Sequence, residues 1–504
     1  MNGNLDIPAP KMKLDKRVIA TLDIKNEKLV KGIGLEGLRQ IGDPAFFAKL
    51  YYEEGIDEIY FRDVVASLYN QNTIKEIIKN TAENCFIPIM VGGGIRSLYD
   101  IEAILKAGGD KVAINTAAVL DKQFIQQAVK YFGSSSISVQ VDTQRIGESN
   151  KVTTESGRNI TDIDTLHWIK TAQSLGAGEI ILTSVERDGS GDGFDFKFIN
   201  ELQEIISTPL IISGGAGNLG HLSKIGEYDY VSGVGIASML HNFYSKRTNQ
   251  KTSRIRKYEI GNTDFVQATS VLNIKKELKF ERLPERIIVK PSTLRKNVFE
   301  TQIGVLDYGA GNIYSVQNAL KKLGVSSYKI TKPSDLKRID ALIIPGVGEF
   351  ESAMKKLQQR ELVNPIIDFS NNNKSVLGIC LGMHLLFESS QESPGCQGLG
   401  LLKGQVKLLP NNSGNIPNIG WRQIELENTN KENQQSSMYF IHSYYVSPDE
   451  LEIESGHTPL KSFIFPSIVE SKNIKGWQFH PELSGWDGLL FLKNWVEGVQ
   501  IANG

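Results

Sequence analysis

Val91-Gly92-Gly93-Gly94 and, 122 residues later, Ser213-Gly214-Gly215-Ala216 are the stretches that decide the fold. Each is a short apolar run ending in glycines, the pattern of a buried strand feeding a turn. Working outward, the chain from 17 to 240 repeats one unit, a β-rich run followed by a helical pattern. The runs fall at 18–22, 58–63, 87–91, 111–115, 137–142, 179–183, 209–213 and 230–234. Eight βα units predict a (β/α)8 barrel. A doubly wound open sheet is the alternative, and the register of the repeat argues against it. Asp23 and Asp142 close the first and fifth runs, 119 residues apart. Asn115-Thr116 and Ala237-Ser238 follow the fourth and eighth runs, 122 residues apart. Three features in near-equal register point to a duplicated four-strand half-barrel.

The repeated pieces carry chemistry. Glycine-rich loops after parallel strands let backbone N–H groups close on phosphate oxygens. Two such loops across the barrel mouth suit a substrate phosphorylated at both ends. Between them stand Asp23 and Asp142, placed to divide general acid and general base work. Loop punctuation and capping are the plainer readings of any one of these residues taken alone. At the opposite end, Arg17, Glu58, Lys111 and Glu179 stand at the start of four strands, with alternating signs. Alternating charges can pair across a barrel axis, whereas like charges there would be costly. Solvated strand ends are the alternative.

The second half opens a different chemistry. Gly378-Ile379-Cys380-Leu381-Gly382 follows the apolar run Ser375-Val376-Leu377 and precedes a helical pattern. A cysteine between glycines at a strand-to-helix turn predicts a nucleophile elbow, with the helix N-terminus favouring thiolate. Gln478-Phe479-His480-Pro481-Glu482 supplies a base, His480, and a carboxylate, Glu482, to hold its tautomer. A buried structural cysteine is the alternative.

Composition bounds the rest. A length of 504 residues calls for at least two domains. Net charge of −1 gives no reason to expect nucleic acid or a membrane surface as partner. No apolar stretch approaches a membrane span. Three cysteines make no disulfide framework, so a cytoplasmic setting is expected. The histidines are scattered and no Cys-x-x-Cys occurs, so neither metal nor cofactor is expected. The organisation expected is a disordered lead-in over 1–16, a barrel over 17–280, a linker over 281–301 and an α/β domain over 302–504. The barrel's last helix is expected over 271–279.

The strings around Cys380 and His480 resemble the class I glutamine amidotransferases, which hydrolyse glutamine through a thioester and release ammonia. Asp307-Tyr308-Gly309-Ala310-Gly311-Asn312, Pro345-Gly346-Val347-Gly348, Gly420-Trp421 and His442-Ser443-Tyr444 narrow the resemblance to the glutaminase subunit of the imidazole glycerol phosphate synthase family. It implies that 345–348, with Gly346 and Gly348, form the oxyanion strand, and that His384, Ser443 and Tyr444 meet glutamine. His384 stands where the family usually has Gln. The first half resembles the cyclase subunit of the same family over about 16–245. Leu22-Asp23, Leu29-Val30-Lys31-Gly32, Val91-Gly92-Gly93-Gly94-Ile95-Arg96, Ile114-Asn115-Thr116-Ala117-Ala118 and Arg187-Asp188-Gly189 carry it.

That second resemblance implies Asp23 and Asp142 as the acid/base pair. It implies Gly94, Asn115 and Thr116 at one phosphate, and Gly189, Gly215, Ala237 and Ser238 at the other. Lys31 and Asp63 would line the pocket, and Arg17, Glu58, Lys111 and Glu179 would form an ammonia gate. The partners implied are glutamine, a bis-phosphorylated ribotide and a cyclase–glutaminase interface within the chain. Departures cluster in the pocket. Thr21 replaces Cys, Gly34-Leu35 an Asn-Phe pair, Arg62-Asp63-Val64-Val65 a Leu-Asp-Ile-Thr, and Gln140 a small residue. Leu483 stands where the family's interface Lys does, opposite an acid at the Asp110 position. The departures resemble a paralogous branch that supplies ammonia for acetamidino groups on surface-polysaccharide sugars. A scaffold with a decayed site is a third reading, opposed by the complete Cys-His-Glu set.

Overall fold

The computed structural model describes residues 16–34, 36–65, 72–247, 266–280, 301–309, 313–426 and 436–503. Two compact units divide the chain between 293 and 294. Apart from Lys16 and Thr301, the expected lead-in and linker lie outside the described residues, as do Leu35 and Ala310-Gly311-Asn312.

In the first unit eight parallel strands close on themselves. They are β1 (Arg17–Lys25), β2 (Glu58–Asp63), β3 (Ile89–Gly92), β4 (Lys111–Ile114), β5 (Ile137–Ile146), β6 (Glu179–Ser184), β7 (Leu210–Ser213) and β8 (Val231–Ile236). β8 pairs with β1, and β6 pairs with both β5 and β7, so no edge is left open. The continuous apolar runs follow from burial on both faces, as in β3, where every residue is buried. The last described helix is Val271–Glu277, two residues shorter than expected.

Two hairpins were not expected. The strands Lys28–Ile33 and Glu36–Gly42 fold back on β1, and Ser149–Thr154 and Asn159–Asp164 fold back on β5. They occupy corresponding places in the two half-barrels. In their registers Asp23 faces Val30 and Asp142 faces Thr153. The first reverses at Asn26-Glu27, both with positive φ, as a two-residue hairpin requires. Its arms carry few apolar residues, which is why the pattern there is weak.

Period two along each strand sets layers inside the barrel. Arg17, Glu58, Lys111 and Glu179 open their strands. Two residues on, Ile19, Tyr60, Ala113 and Ile181 form an apolar layer with Met90 and Ile211. Two further on, β1 and β2 bring Thr21 and Arg62 inward, and polar chemistry begins.

The second unit is built on a nine-stranded sheet. Five strands are parallel, in the order Ser327–Ile330, Ile303–Leu306, Ala341–Ile344, Ser375–Ile379 and Ile474–Trp477. The sheet continues antiparallel through Phe463–Ser471, Glu454–Leu460, Asn418–Leu426 and Ser436–His442. The strand before Cys380 is thus central, and Trp477 pairs with Ile379. That register carries the chain after Trp477 to His480, beside the elbow.

Candidate active site

Cys380 sits between the strand Ser375–Ile379 and the short helix Leu381–Leu385 with φ +52° and ψ −109°. Such a positive φ is strained for a residue with a side chain, and the surroundings hold it in place. Its N–H donates to Trp477 O at 2.7 Å. The flanking glycines are required by contact. A Cβ on Gly382 would lie 1.7 Å from Ile344 O, and one on Gly378 would lie 2.6 Å from Gly382 O. The helix is five residues long, too short for the dipole expected from the sequence to matter much.

His480 Nδ1 and Glu482 Oε1 are 2.8 Å apart, and both side chains are buried. Burial disfavours the imidazolium, but Glu482 and then Cys380 outweigh it and raise the His480 pKa well above its ordinary value. Nε2 is buried without a geometric hydrogen bond among the described residues, yet it belongs to a ring within electrostatic reach of the sulfur. A proton therefore rests readily on His480, leaving Cys380 the nucleophile.

The expected oxyanion strand follows Ala341–Ile344. Leu381 N–H donates to Gly346 O at 3.4 Å, and Gly348 has φ +117°. A Cβ on Gly346 would meet Leu381 Cβ at 2.7 Å. Tyr308, completely buried, donates its hydroxyl to Pro345 O at 2.9 Å. Burial, and then Cys380, push its phenol pKa up, so it remains a donor. Tyr308 lies in a string already singled out, but this tertiary contact is invisible in sequence.

His384 is turned inward. Its Nε2 bonds Gln478 Oε1 at 2.9 Å, and the Gln478 amide donates towards Cys380 Sγ at 3.8 Å. Burial lowers its pKa to about 4, so it acts as a neutral partner of Gln478. Ser443 O accepts from Leu409 N at 2.9 Å, and Tyr444 is half-buried against the core. Sequence reasoning missed Glu392. It accepts from Phe350 N at 3.0 Å, beside Glu349 and within electrostatic reach of Tyr444. Burial pushes its pKa up to about 7; the Phe350 N–H opposes this and Glu349 adds to it. Leu483 packs with Ile419, Tyr439 and Ile441 in an apolar cluster of its own domain.

At the C-terminal ends of the barrel strands the two aspartates differ. Asp23 accepts from Arg62 Nε at 2.7 Å and Lys31 Nζ at 3.2 Å. Burial would raise its pKa, but Arg62 and then Lys31 hold it at about 2. Lys31 also donates to both Asp188 oxygens, at 2.9 and 3.0 Å. Among the described residues no cation is hydrogen-bonded to Asp142. Gln140 Nε2 donates to one oxygen at 2.7 Å and Asn115 Nδ2 to the other at 2.8 Å. Burial raises its pKa, against the pull of Arg62 and Gln140. Tyr60 hydroxyl reaches across the barrel to Gln140 Oε1.

A cavity of about 540 Å³ opens beside Asp142. Asp63, Gly94, Asn115 and Thr116 line it together with Arg62 and Gln140. Asp23, Lys31 and the second glycine set are not in its wall. Gly189 and Gly215 instead meet backbone closely: a Cβ would lie 2.3 Å from Gly32 O and 2.2 Å from Gly193 O respectively. Ala237 and Ser238 are half-buried at the end of β8.

At the other end, Arg17 bonds Glu58 at 2.8 Å and also Glu179, while Lys111 bonds Glu179 at 3.0 Å and also Glu58. The four buried side chains close a ring of alternating charge. Burial would raise the Glu179 pKa; Arg17 and then Lys111 lower it overall.

Comparison with known proteins agrees with both halves. The family described as Histidine biosynthesis protein matches residues 17–245, and Glutamine amidotransferase class-I matches 304–496. The imidazole glycerol phosphate synthase subunit HisF of Legionella pneumophila is 46% identical over 204 residues, 40% of this chain and 96% of that protein. This chain belongs to that synthase family, with a class I glutamine amidotransferase joined to the barrel. The HisF subunit of Streptococcus mutans is 42% identical over 229 residues, 45% of this chain and 91% of that protein. That of Sulfurisphaera tokodaii is 44% identical over 210 residues, covering 42% and 84%. The chain is therefore an enzyme that couples a glutaminase to a cyclase-type barrel for histidine-pathway chemistry. Among the described residues no helix is long and apolar enough to cross a membrane.

Proposed function

We propose that the chain is a bifunctional imidazole glycerol phosphate synthase. Cys380 attacks the glutamine carboxamide, His480 carries the proton to the departing ammonia, and Glu482 fixes the imidazole. The strand at 345–348, held by Tyr308, offers its N–H groups to the oxyanion. Glu392 and Glu349, at the end of that strand, receive the substrate's ammonium group. Ammonia enters the barrel through the charged ring and reaches a ribulosyl-formimino aminoimidazole carboxamide ribotide at the mouth. Asp142, the carboxyl more ready to hold a proton, is the acid, and ionised Asp23 is its partner. The products are imidazole glycerol phosphate and aminoimidazole carboxamide ribotide. Separate environments for the two carboxylates, Asp23 paired with Arg62 and Lys31 and Asp142 bonded by Gln140 and Asn115, are the observation that supports this reading.

One observation favours a second reading. The Arg62–Asp23 ion pair occupies the catalytic mouth, which suits a barrel that conveys ammonia to a separate sugar amidotransferase for acetamidino groups. A single experiment separates the two. Cys380→Ala should lose glutamine-driven cyclisation and keep ammonium-driven cyclisation. A wild-type chain that cyclises the ribotide with neither nitrogen source supports the second reading instead.

A further inference from the structure

Arg62 is a buried group that the proposed reaction uses on one edge only, the edge paired with Asp23. It is 5% exposed, and its neighbours fix it on one side only. Nε donates to Asp23 at 2.7 Å, and Nη2 donates to Asp188 at 3.4 Å. Lys31 bridges the same two carboxylates, so two cations and two anions balance. Nη1 makes no hydrogen bond to any described residue, yet it is not sealed in the interior. Arg62 lines the 540 Å³ cavity, which leaves this edge available to a ligand held there. A buried guanidinium with unused donors is a recognition point for an oxyanion, because leaving those donors unpaired is costly.

Register places that edge beside a second anion site. Arg62 pairs with Gly92, and Gly93-Gly94 follow immediately in the same cavity wall. Adjacent strands lie about 4.8 Å apart. Gly93 has φ +93°, and a Cβ there would meet Asp63 O at 2.1 Å, so only glycine fits this turn in the cavity wall. We propose that Arg62 is a ligand-binding residue. Its free edge receives the carboxylate of a short phosphorylated acid, whose phosphate lies at Gly93-Gly94 with Asn115 and Thr116. Asp23 and Asp188 are the fixed counter-ions that aim the guanidinium. The phosphate half of this inference rests on the proposed reading of the barrel mouth; the carboxylate half rests on Arg62 alone. Such a ligand carries one phosphate and occupies one glycine set, so it competes with a substrate phosphorylated at both ends.

The test is calorimetric binding to the full chain, with no turnover involved. 3-Phosphoglycerate and glycerol 3-phosphate serve as probes, because they differ in a carboxylate against a hydroxymethyl group. Wild type should bind 3-phosphoglycerate at least about tenfold more tightly, the worth of one charge-assisted hydrogen bond. Arg62→Leu should bind the two equally while keeping its affinity for glycerol 3-phosphate. If that variant misfolds, Arg62→Leu with Asp188→Asn removes one charge of each sign and should give the same result. Equal binding by wild type, discrimination surviving in either variant, or no binding of either probe at millimolar concentration would each overturn the proposal. Failure of the synthase reading has a different signature, absent cyclisation with probe discrimination intact.

Discussion

Lys111→Met tests the charged ring most severely. Lys111 is completely buried and bonds two carboxylates, at 3.0 Å to Glu179 and also to Glu58. Its removal leaves Glu58 and Glu179 sharing Arg17, a ring that changes from neutral to −1. Breaking a buried pair by removing one partner costs about 3–5 kcal/mol, because the survivor's desolvation is no longer offset. Hydrogen exchange of the β1, β2, β4 and β6 amides reads this within the barrel itself. Exchange through global opening should quicken by roughly a hundredfold or more. The pH dependence has a definite sign. In wild type the depressed Glu179 pKa contributes stability above the unfolded value, and that is lost as pH falls through the folded value. Without Lys111 that contribution shrinks, so the deficit is largest near neutrality and narrows in acid. Adding Glu58→Gln leaves a neutral Arg17–Glu179 pair and should recover more than half the loss. Function follows the same logic: a distorted or hydrated ring should leak ammonia, so glutamate exceeds cyclised product. A cost below about 1 kcal/mol, with a product ratio still near one, would mean that the four charges are ordinary strand ends.

Other perturbations address single groups. Gly382→Ala forces a methyl 1.7 Å from Ile344 O, and should cut glutaminase turnover at least about a hundredfold while ammonium-driven activity persists. Glu482→Gln removes the larger of the charges that raise the His480 pKa, so the pH at which iodoacetamide alkylates Cys380 should shift, and kcat should fall by roughly 10²–10⁴. Glu392→Gln should raise KM for glutamine about tenfold with kcat little changed; in wild type KM should climb as pH drops below 7, where Glu392 takes up its proton. Asp142→Asn should abolish cyclisation from either nitrogen source and leave glutamine hydrolysis intact, measured as glutamate release.

The barrel was legible because its strands are buried on both faces, so each reads as a short apolar run, with glycines directly after the third and seventh. The hairpins after β1 and β5 were not, because their arms carry few apolar residues, even in Ser149–Thr154, which is largely buried. The elbow was legible for the opposite reason. Gly378 and Gly382 are positions where backbone approaches to within van der Waals contact, and only glycine fits. Tyr308 and Glu392 act through contacts with Pro345 O and Phe350 N, made by chain segments 37 and 42 residues away. No local pattern announces such contacts. His384 was expected to meet glutamine because the family resemblance places it where Gln usually stands. The short, enclosed helix sets the His384 ring against Gln478, whose amide lies 3.8 Å from Cys380 Sγ, a contact that no local pattern announces.

Period two explains why the charged ring could be inferred and the Arg62 contact could not. Arg17, Ile19, Thr21 and Asp23 descend one face of β1; Glu58, Tyr60 and Arg62 descend the matching face of β2. A charge at the first position has no apolar context to join, so its alternation with neighbouring strands is meaningful even without knowing the stagger. Arg62 sits four residues later, where its partner depends on how far β2 is offset from β1. The observed register sets it opposite Asp23; a two-residue slip would set it opposite Thr21. Only that offset turns an unusual arginine into the group that holds Asp23 ionised, while burial raises the Asp142 pKa. The ionised state of Asp23 is therefore a property of strand stagger, whereas Asp142 is also shaped by its own strand, through Gln140 two residues before it.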